Sequence, residues 1–407
     1  MKPPDSIPPP PLIQTLRELP RPAWVLFAGT FVNKFGTFVM PFLALYLTKA
    51  GYTMTQAGIA VGALGAGHFC SAAIGGYLAD LIGRRKTITL SMALAAVFYA
   101  LLPFAGSFWW IVVCTFFAGL TAELYRPAAS ALLADLVPPE DRIVAYSAYR
   151  LALNAGWALG PATAGLLARY SYLYVFIGEA VTCALFGVLA WFALPKGVRS
   201  DSKESGWGVA LRRIRNDSGY LRVVFSYLGI GFVLFQVMTT FGVHVREMGF
   251  SETDYGMFLS LNGVLIVILE LPITSVTRRV RAGLAVAFGY SLIGLSMVVL
   301  TIAKDHGMII SSMVLLTFGE MISFPVALTY VANRAPANMR GPYMGTVGFV
   351  WSIALIVAPW TGLKLLQIDP ALLWGFCAVA ATCSGFLVFR IHKLTQQSEQ
   401  TRAHLQG

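Results

Sequence analysis

The sequence predicts an all-α membrane protein with twelve transmembrane helices arranged in two six-helix, pseudo-symmetric bundles. Of its 407 residues, 57% are hydrophobic and only 12% are charged, which is more apolar surface than a soluble chain can bury. The apolar residues form twelve runs, each near the roughly 20 residues that a helix needs to cross the hydrocarbon core. Helices are the expected structure, because lipid offers no hydrogen-bond partners to backbone groups and barrel strands would alternate in polarity.

The twelve runs are read from the positions of the polar interruptions. They cover residues 24–48, 55–79, 87–105, 109–134, 142–170, 172–194, 220–246, 253–276, 283–303, 308–333, 342–366 and 371–394. The one long polar interruption, 195–219, is expected to be a linker between a first bundle, 24–194, and a second bundle, 220–394. Tails are expected at 1–23 and 395–407.

The distribution of positive charge predicts the orientation in the membrane. The net charge is +11. Most Lys and Arg residues lie in the two tails and in every second loop, which the twelve-span topology places on one side of the membrane. Such loops are cytoplasmic and contact anionic lipid. We therefore expect a multi-pass protein of the cell membrane with both termini in the cytoplasm, and no basic domain remains to bind nucleic acid.

Cysteine usage and motif content argue against metal and enzyme chemistry. The five cysteines all fall inside apolar runs, and none has the spacing of metal ligands, so they are expected to be packing residues and no metal site is expected. The chain has no His-Glu metal pattern, nucleophile elbow or phosphate loop. The sequence therefore predicts a protein that is not an enzyme.

A helix-breaking, basic segment joins the second and third apolar runs. It matches the pattern of the loop between spans two and three of the major facilitator superfamily at five positions, namely Gly76, Asp80, Gly83, Arg84 and Arg85. This resemblance implies a transporter that works by alternating access. It also implies that Asp80 is a gate residue, helped by the two arginines, whose contacts with the other half change between states.

The two halves of the chain are internally related. The segment 134–138 with Arg142 recurs as 332–336 with Arg340, and Glu123 in the first half corresponds closely to Glu320 in the second. A parallel repeat of two six-span units is typical of this superfamily, which handles substrate between the halves near the midplane. In the second half only the cations of the signature loop remain, at 277–281.

The fifth apolar run carries a small residue at every fourth position, which lets a neighbouring helix approach closely. Within it, Gly156, Gly160, Pro161 and Gly165 resemble the antiporter motif of drug:proton antiporters, although generic small-residue packing is the alternative. The resemblance to the twelve-span drug:proton antiporter group implies a monomer that exports amphipathic or cationic small molecules. Protons would be the coupling ion, with no other cofactor.

Charged residues inside the apolar runs are candidates for proton coupling or substrate binding, because each such charge needs a partner or hydration. The candidates are Lys34, Glu123, Arg126, Glu179, Glu270 and Glu320. Glu123 and Arg126 lie three residues apart and share a helix face, so a purely structural ion pair is the alternative there. The partner of Lys34 cannot be read from the sequence.

Glu320 is the strongest of these candidates. It lies deep in the tenth run with no cation within a helical turn, and the resemblance associates a glutamate in this span with proton coupling.

Two other functions remain open at this point, namely export or uptake of a defined metabolite such as a sugar, amino acid or lipid, and a non-transporting sensor or membrane enzyme. A proton-flux assay in liposomes, with and without a dye, separates the three.

Overall fold

The computed structural model describes residues 16–138, 141–195, 207–277, 280–334 and 340–406, and describes no side chains at 72, 73, 143, 207–211, 332, 333, 340–342 and 390–406. We number the spans 1 to 12 in chain order. Their helices are Arg21–Phe35 with Val39–Lys49, Met54–Ile82, Arg84–Leu101, Phe108–Glu123 with Tyr125–Leu136, Arg142–Tyr170, Tyr172–Ala193, Ser218–Thr239, Glu252–Thr277, Ala282–Ile302, His306–Arg334, Arg340–Ile368 and Pro370–Gln406. Three short helices, Leu102–Phe104, Trp207–Asn216 and Phe241–Glu247, adjoin them.

The predicted twelve-helix membrane fold is confirmed. Within the described ranges, eleven helices or helix pairs are long and apolar enough to cross a membrane, and the twelfth is span 2, which bends by 47° between its two segments. Large apolar side chains are exposed along the spans, such as Phe192 and Leu271, as expected for a surface in contact with lipid. The predicted bundle boundaries and the orientation of the termini stay predictions, and linker residues 196–206 lie outside the described part.

Local sequence signals explain where the helices begin and end. Span 2 starts with a capping box, in which Thr53 Oγ1 accepts from the Gln56 N–H at 3.2 Å and the Gln56 side chain accepts from the Thr53 N–H at 2.9 Å. It ends at Gly83, whose φ of +89° is accessible to glycine and strained for other residues. The helix therefore runs past the predicted end at residue 79 and includes Asp80 in its last turn.

Equivalent spans pack in equivalent pairs in the two halves. Spans 2 and 4, 1 and 5, and 3 and 6 pack together in the first half, as 8 and 10, 7 and 11, and 9 and 12 do in the second. The main contacts between the halves are span 5 on span 8 and span 2 on span 11, which correspond to each other under the same repeat. This arrangement supports the internal repeat predicted from the sequence.

The bundle has two distinguishable ends. We call the end that carries Gly83 the loop end, and the end that carries Lys49 and Glu252 the far end. Contacts between the halves are dense at the far end, where Lys49 Nζ lies 2.9 Å from Glu252 Oε1 and the Tyr172 hydroxyl donates to the same oxygen at 3.3 Å. The Tyr255 hydroxyl lies 3.1 Å from the carbonyl oxygen of Pro41 in the opposite half. These contacts close the far end.

Candidate functional site

A cluster of three charged side chains lies midway along spans 1 and 4. The Glu123 carboxylate bridges two cations, with Oε1 at 2.9 Å from Lys34 Nζ and Oε2 at 3.0 Å from Arg126 Nη1. Glu123 is thus the partner of Lys34 that the sequence could not identify. Because two cations share one carboxylate, the cluster carries an excess positive charge.

Exposure differs sharply among the three members of this cluster. The side chains of Lys34 and Glu123 are 17% and 16% exposed, whereas that of Arg126 is 58% exposed, although Arg126 lies in the first turn of the second helix of span 4, midway along that span. The Tyr125 ring centroid lies 6.0 Å from Lys34 Nζ. Arg126 is therefore the member of the cluster that is placed to meet a polar or anionic group from outside.

The second half places a carboxyl group in contrasting surroundings. Glu320 of span 10 is 8% exposed, and its Oε2 accepts a 2.6 Å hydrogen bond from the Asn262 side chain of span 8. The same Asn262 amide donates to Thr317 Oγ1 at 3.0 Å. No cation pairs with Glu320 among the described residues. An unpaired charge at this depth costs several kcal/mol, so this carboxyl group is stable as a neutral acid or with a cation beside it.

Glu270 joins the two halves and is not a free carboxylate. It forms an ion pair with Arg150 of span 5, and Asn154 one turn further along span 5 donates to its Oε2 at 3.4 Å. Glu270 also lies within electrostatic range of Glu320. Arg150, Asn154 and Glu270 connect span 5 to span 8, nearer to the loop end than Glu320 and the Lys34–Glu123–Arg126 cluster are.

Glu179 has a different environment from the other candidates. It lies in span 6, is 4% exposed, and accepts hydrogen bonds from the backbone N–H groups of Phe38 and Val39 in span 1. The structure therefore brings Glu179 to the backbone of a neighbouring helix. It does not bring Glu179 into hydrogen-bond contact with Lys34, Glu123 or Glu320.

The residues of the signature loop make their contacts within the first half. Arg84 is buried, pairs with Asp135 and donates to the Ala131 carbonyl of span 4, so it anchors the start of span 3. Arg85 lies 5.2 Å from the Trp191 ring and donates to the Leu194 carbonyl at 3.4 Å. The two cations thereby fix span 3 against spans 4 and 6.

Asp80, by contrast, is exposed. It has no hydrogen bond or ion pair with another described residue, and Arg84 is its electrostatic neighbour. A Cβ at Gly76 would lie within 4 Å of no atom in the described part of the chain. Asp80 makes no hydrogen bond or ion pair with the residues of the second half that the structure describes, so its predicted contact there stays a prediction. Arg278 and Arg279 of the reduced second loop lie outside the described residues.

The antiporter-type motif of span 5 faces two different helices. A Cβ at Gly156 would lie 2.7 Å from the Phe31 carbonyl oxygen, and one at Gly160 would lie 2.7 Å from the Phe35 carbonyl oxygen, so these glycines pack on span 1. A Cβ at Gly165 would lie 2.5 Å from the Glu252 carbonyl oxygen of span 8. The motif therefore provides close backbone contact both inside the first half and between the halves.

Pro161 lies at the contact between the halves. Its carbonyl oxygen would lie 2.3 Å from a Cβ at Gly256, so span 8 approaches it as closely as glycine permits. The next residue, Ala162, donates its backbone N–H to Ser260 Oγ of span 8 at 2.8 Å. Proline has no backbone N–H donor and weakens the helix locally. The polar contact beside it is the hydrogen bond from Ala162 to Ser260 of span 8.

Replacing Gly160 with Leu is expected to reduce transport by at least about tenfold, because the side chain must displace the backbone of span 1 at Phe35. Transport by purified protein in liposomes, normalised to the folded fraction from size-exclusion chromatography, measures this effect. The matched control is Gly375→Leu in span 12, where an added Cβ meets no atom of the described residues within 4 Å. Full transport by Gly160→Leu contradicts a functional need for this close contact.

Several residues of the site were missed by sequence reasoning. Asn262 and Thr317 hold Glu320, Asn154 holds Glu270, and Lys49 with Tyr172 holds Glu252. The two asparagines carried a signal, because an amide inside an apolar run needs a partner as a charge does. Lys49 and Glu252 carried none, because charged residues flank the ends of most membrane spans.

Comparison with known proteins agrees with this architecture. The family model described as "Major Facilitator Superfamily" matches residues 26–359. The chain is 24% identical over 364 residues to a Na(+), Li(+), K(+)/H(+) antiporter of Planococcus maritimus, covering 81% of this chain and 85% of the relative. It is 26% identical over 321 residues to the multidrug resistance protein MdtH of Salmonella paratyphi C, covering 75% and 77%.

The fold is also found among solved structures. The crystal structure of a D-xylose-proton symporter superposes with a TM-score of 0.76 at 15% sequence identity, covering 94% of this chain and 98% of the other. A likeness at this identity concerns the fold alone. Because the family model matches most of the chain, the protein is a membrane transporter and not an enzyme: it belongs to the Major Facilitator Superfamily.

Proposed function

We propose that this transporter exports amphipathic or cationic small molecules in exchange for protons, by alternating access. In this proposal the chain acts as a monomer in the cell membrane with both termini in the cytoplasm. Protons are its only coupling ion, and it has no other cofactor. The relative named as a Na(+), Li(+), K(+)/H(+) antiporter supports exchange with protons, and the relative named as a multidrug resistance protein supports export of such molecules.

The environment of Glu320 is the observation that carries the proposal. Its carboxyl group is buried between spans 8 and 10, is held by Asn262 and pairs with no cation among the described residues. Such a group binds either a proton or a cationic substrate, but not both at once. Competition of the two ligands for one site couples their movements, because each ligand lowers the affinity for the other.

The closed far end supplies the second element of the mechanism. Lys49, Tyr172 and Glu252 join the halves there, and Arg150 joins Glu270 nearer to the loop end. In an alternating-access cycle these contacts break as the halves rock about the central site. The cations of both ion pairs, Lys49 and Arg150, are 46% and 55% exposed. Solvent weakens such partly exposed pairs, so their rupture is compatible with a reversible transition.

Exchange of an alkali cation for protons is the second candidate function. Glu320 and Thr317 bring a carboxyl and a hydroxyl oxygen to the same Asn262 amide nitrogen, and hard oxygen ligands of this kind suit such cations. The relative named as a Na(+), Li(+), K(+)/H(+) antiporter supports this candidate. Transport of a defined metabolite is the third possibility that the test below separates.

The test uses the purified full-length chain in liposomes with a pH-sensitive dye trapped inside. A pH gradient is imposed, and a cationic dye, Na⁺, K⁺ or a panel of sugars and amino acids is then added on one side. We expect the cationic dye to start proton flux in the opposite direction and to accumulate against its own gradient. Empty liposomes and liposomes containing Glu320→Gln protein are the controls.

The outcomes distinguish the candidates directly. Proton flux started by Na⁺ or K⁺ alone identifies alkali-cation exchange. Movement of one sugar or amino acid, without response to the cationic dye, identifies a metabolite transporter. Proton flux that no added compound changes contradicts the proposed exchange.

A further inference from the structure

Span 1 is divided into the helices Arg21–Phe35 and Val39–Lys49. In a continuous helix the N–H groups of Phe38 and Val39 would donate to carbonyl groups four residues earlier. Here both donate to Oε2 of Glu179 in span 6, at 3.0 Å and 2.6 Å, and the Phe38 N–H also donates to the Gly36 carbonyl oxygen at 2.7 Å. A buried carboxyl group from another span thus replaces the hydrogen bonds that the break removes.

The break is packed tightly against span 6. A Cβ at Gly36 would lie 1.7 Å from Thr182 Oγ1, and one at Gly178 would lie 3.0 Å from the Phe38 ring. The Tyr99 hydroxyl of span 3 lies beside the Glu179 carboxyl group and interacts with it. The geometry of the break is therefore set by span 6 and span 3 together.

The two helices of span 1 make contact with different parts of the molecule. The helix Arg21–Phe35 carries Lys34, which pairs with Glu123 at the central cluster. The helix Val39–Lys49 carries the groups that meet the second half. We call these contacts, Lys49 with Glu252 and the Pro41 carbonyl with Tyr255, the far-end latch. The break therefore separates the central cluster from the latch.

We propose that Glu179 is a positioning residue that fixes the angle between the two helices of span 1 and thereby aligns the far-end latch. It acts on the backbone of span 1 at Phe38 and Val39 and forms no hydrogen bond with the Lys34–Glu123–Arg126 cluster. When this anchor is lost, the helix Val39–Lys49 is free to tilt and its contacts with Glu252 and Tyr255 separate. The inference rests on the proposed alternating access, but its test needs no substrate.

The test measures the separation of the halves at the far end. Two spin labels are attached at Gly106→Cys and Lys304→Cys, which lie in exposed loops of the first and second half, after the five native cysteines are replaced by Ala. Distances between the two spin labels are recorded in liposomes for the parent, Glu179→Leu, Glu179→Gln, Glu252→Gln and the Glu179→Leu/Glu252→Gln double variant. The folded fraction of each is checked by size-exclusion chromatography.

We expect Glu179→Leu to raise the ratio of long to short distances about tenfold, because the Val39 N–H loses its acceptor and the Phe38 N–H keeps only the Gly36 carbonyl oxygen. Glu179→Gln should stay near the parent, since its amide oxygen still accepts those hydrogen bonds. Glu252→Gln should also raise the ratio. In the double variant the ratio should be only slightly higher than in Glu179→Leu, because both changes act through one latch. A merely structural role of Glu179 predicts additive effects.

Unchanged distances in Glu179→Leu, or fully additive effects in the double variant, overturn the proposal. If Glu179→Leu does not fold, Gly36→Ala replaces it, because its methyl group pushes the break away from Thr182 and should produce the same shift. These distances are independent of transport. A failed liposome assay with the expected distances therefore rejects the proposed function and keeps the role of Glu179.

Discussion

Replacing Glu320 with Gln is expected to abolish proton-driven accumulation of substrate while leaving the protein folded. The amide keeps an oxygen that can accept the Asn262 hydrogen bond seen in the structure, but it neither binds nor releases a proton. Moving one charge through the membrane is worth about 2.3 kcal/mol per 100 mV, and this energy becomes unavailable to the cycle. Substrate exchange without a gradient should continue for neutral compounds.

The measurement is uptake by liposomes after a pH jump, compared with exchange at equal pH on both sides. The matched control is Glu247→Gln, an exposed carboxylate between spans 7 and 8, which should behave as the unmodified protein does. Accumulation against a gradient by Glu320→Gln removes Glu320 from the coupling mechanism. Glu123, Glu179 and Glu270 are then the next carboxyl groups to replace.

Replacing Gly256 with Leu is expected to reduce transport to the background of empty liposomes. A Cβ there would lie 2.3 Å from the Pro161 carbonyl oxygen, and backbone cannot rotate away as a side chain can. The added side chain therefore forces span 8 away from span 5, and the far end can no longer close. The same spin labels at Gly106→Cys and Lys304→Cys should report longer distances in this variant.

Met257→Leu is the matched control for that change, because the neighbouring side chain is 55% exposed and tolerates a similar apolar replacement. It should transport at the normal rate and keep the short distances. If Gly256→Leu transports normally while the label distances stay short, close contact of spans 5 and 8 is not required for the cycle. Long distances with normal transport show instead that far-end closure is dispensable.

The sequence by itself determined the number of spans, the internal repeat and the family. These properties depend on the length and hydropathy of local segments and on short loop motifs, which the chain carries independently of how its helices pack. The same local reasoning singled out Glu320, because a carboxylate deep in an apolar run needs an explanation wherever its helix lies.

Only the tertiary structure decided which charges meet. Lys34 reaches Glu123, Glu270 reaches Arg150, and Glu179 reaches the backbone of span 1. The glycines of the span 5 motif also pack on two different helices, Gly160 on span 1 and Gly165 on span 8. The rotation and tilt of each helix are set by its packing against others, so contacts between distant spans are a property of the whole bundle.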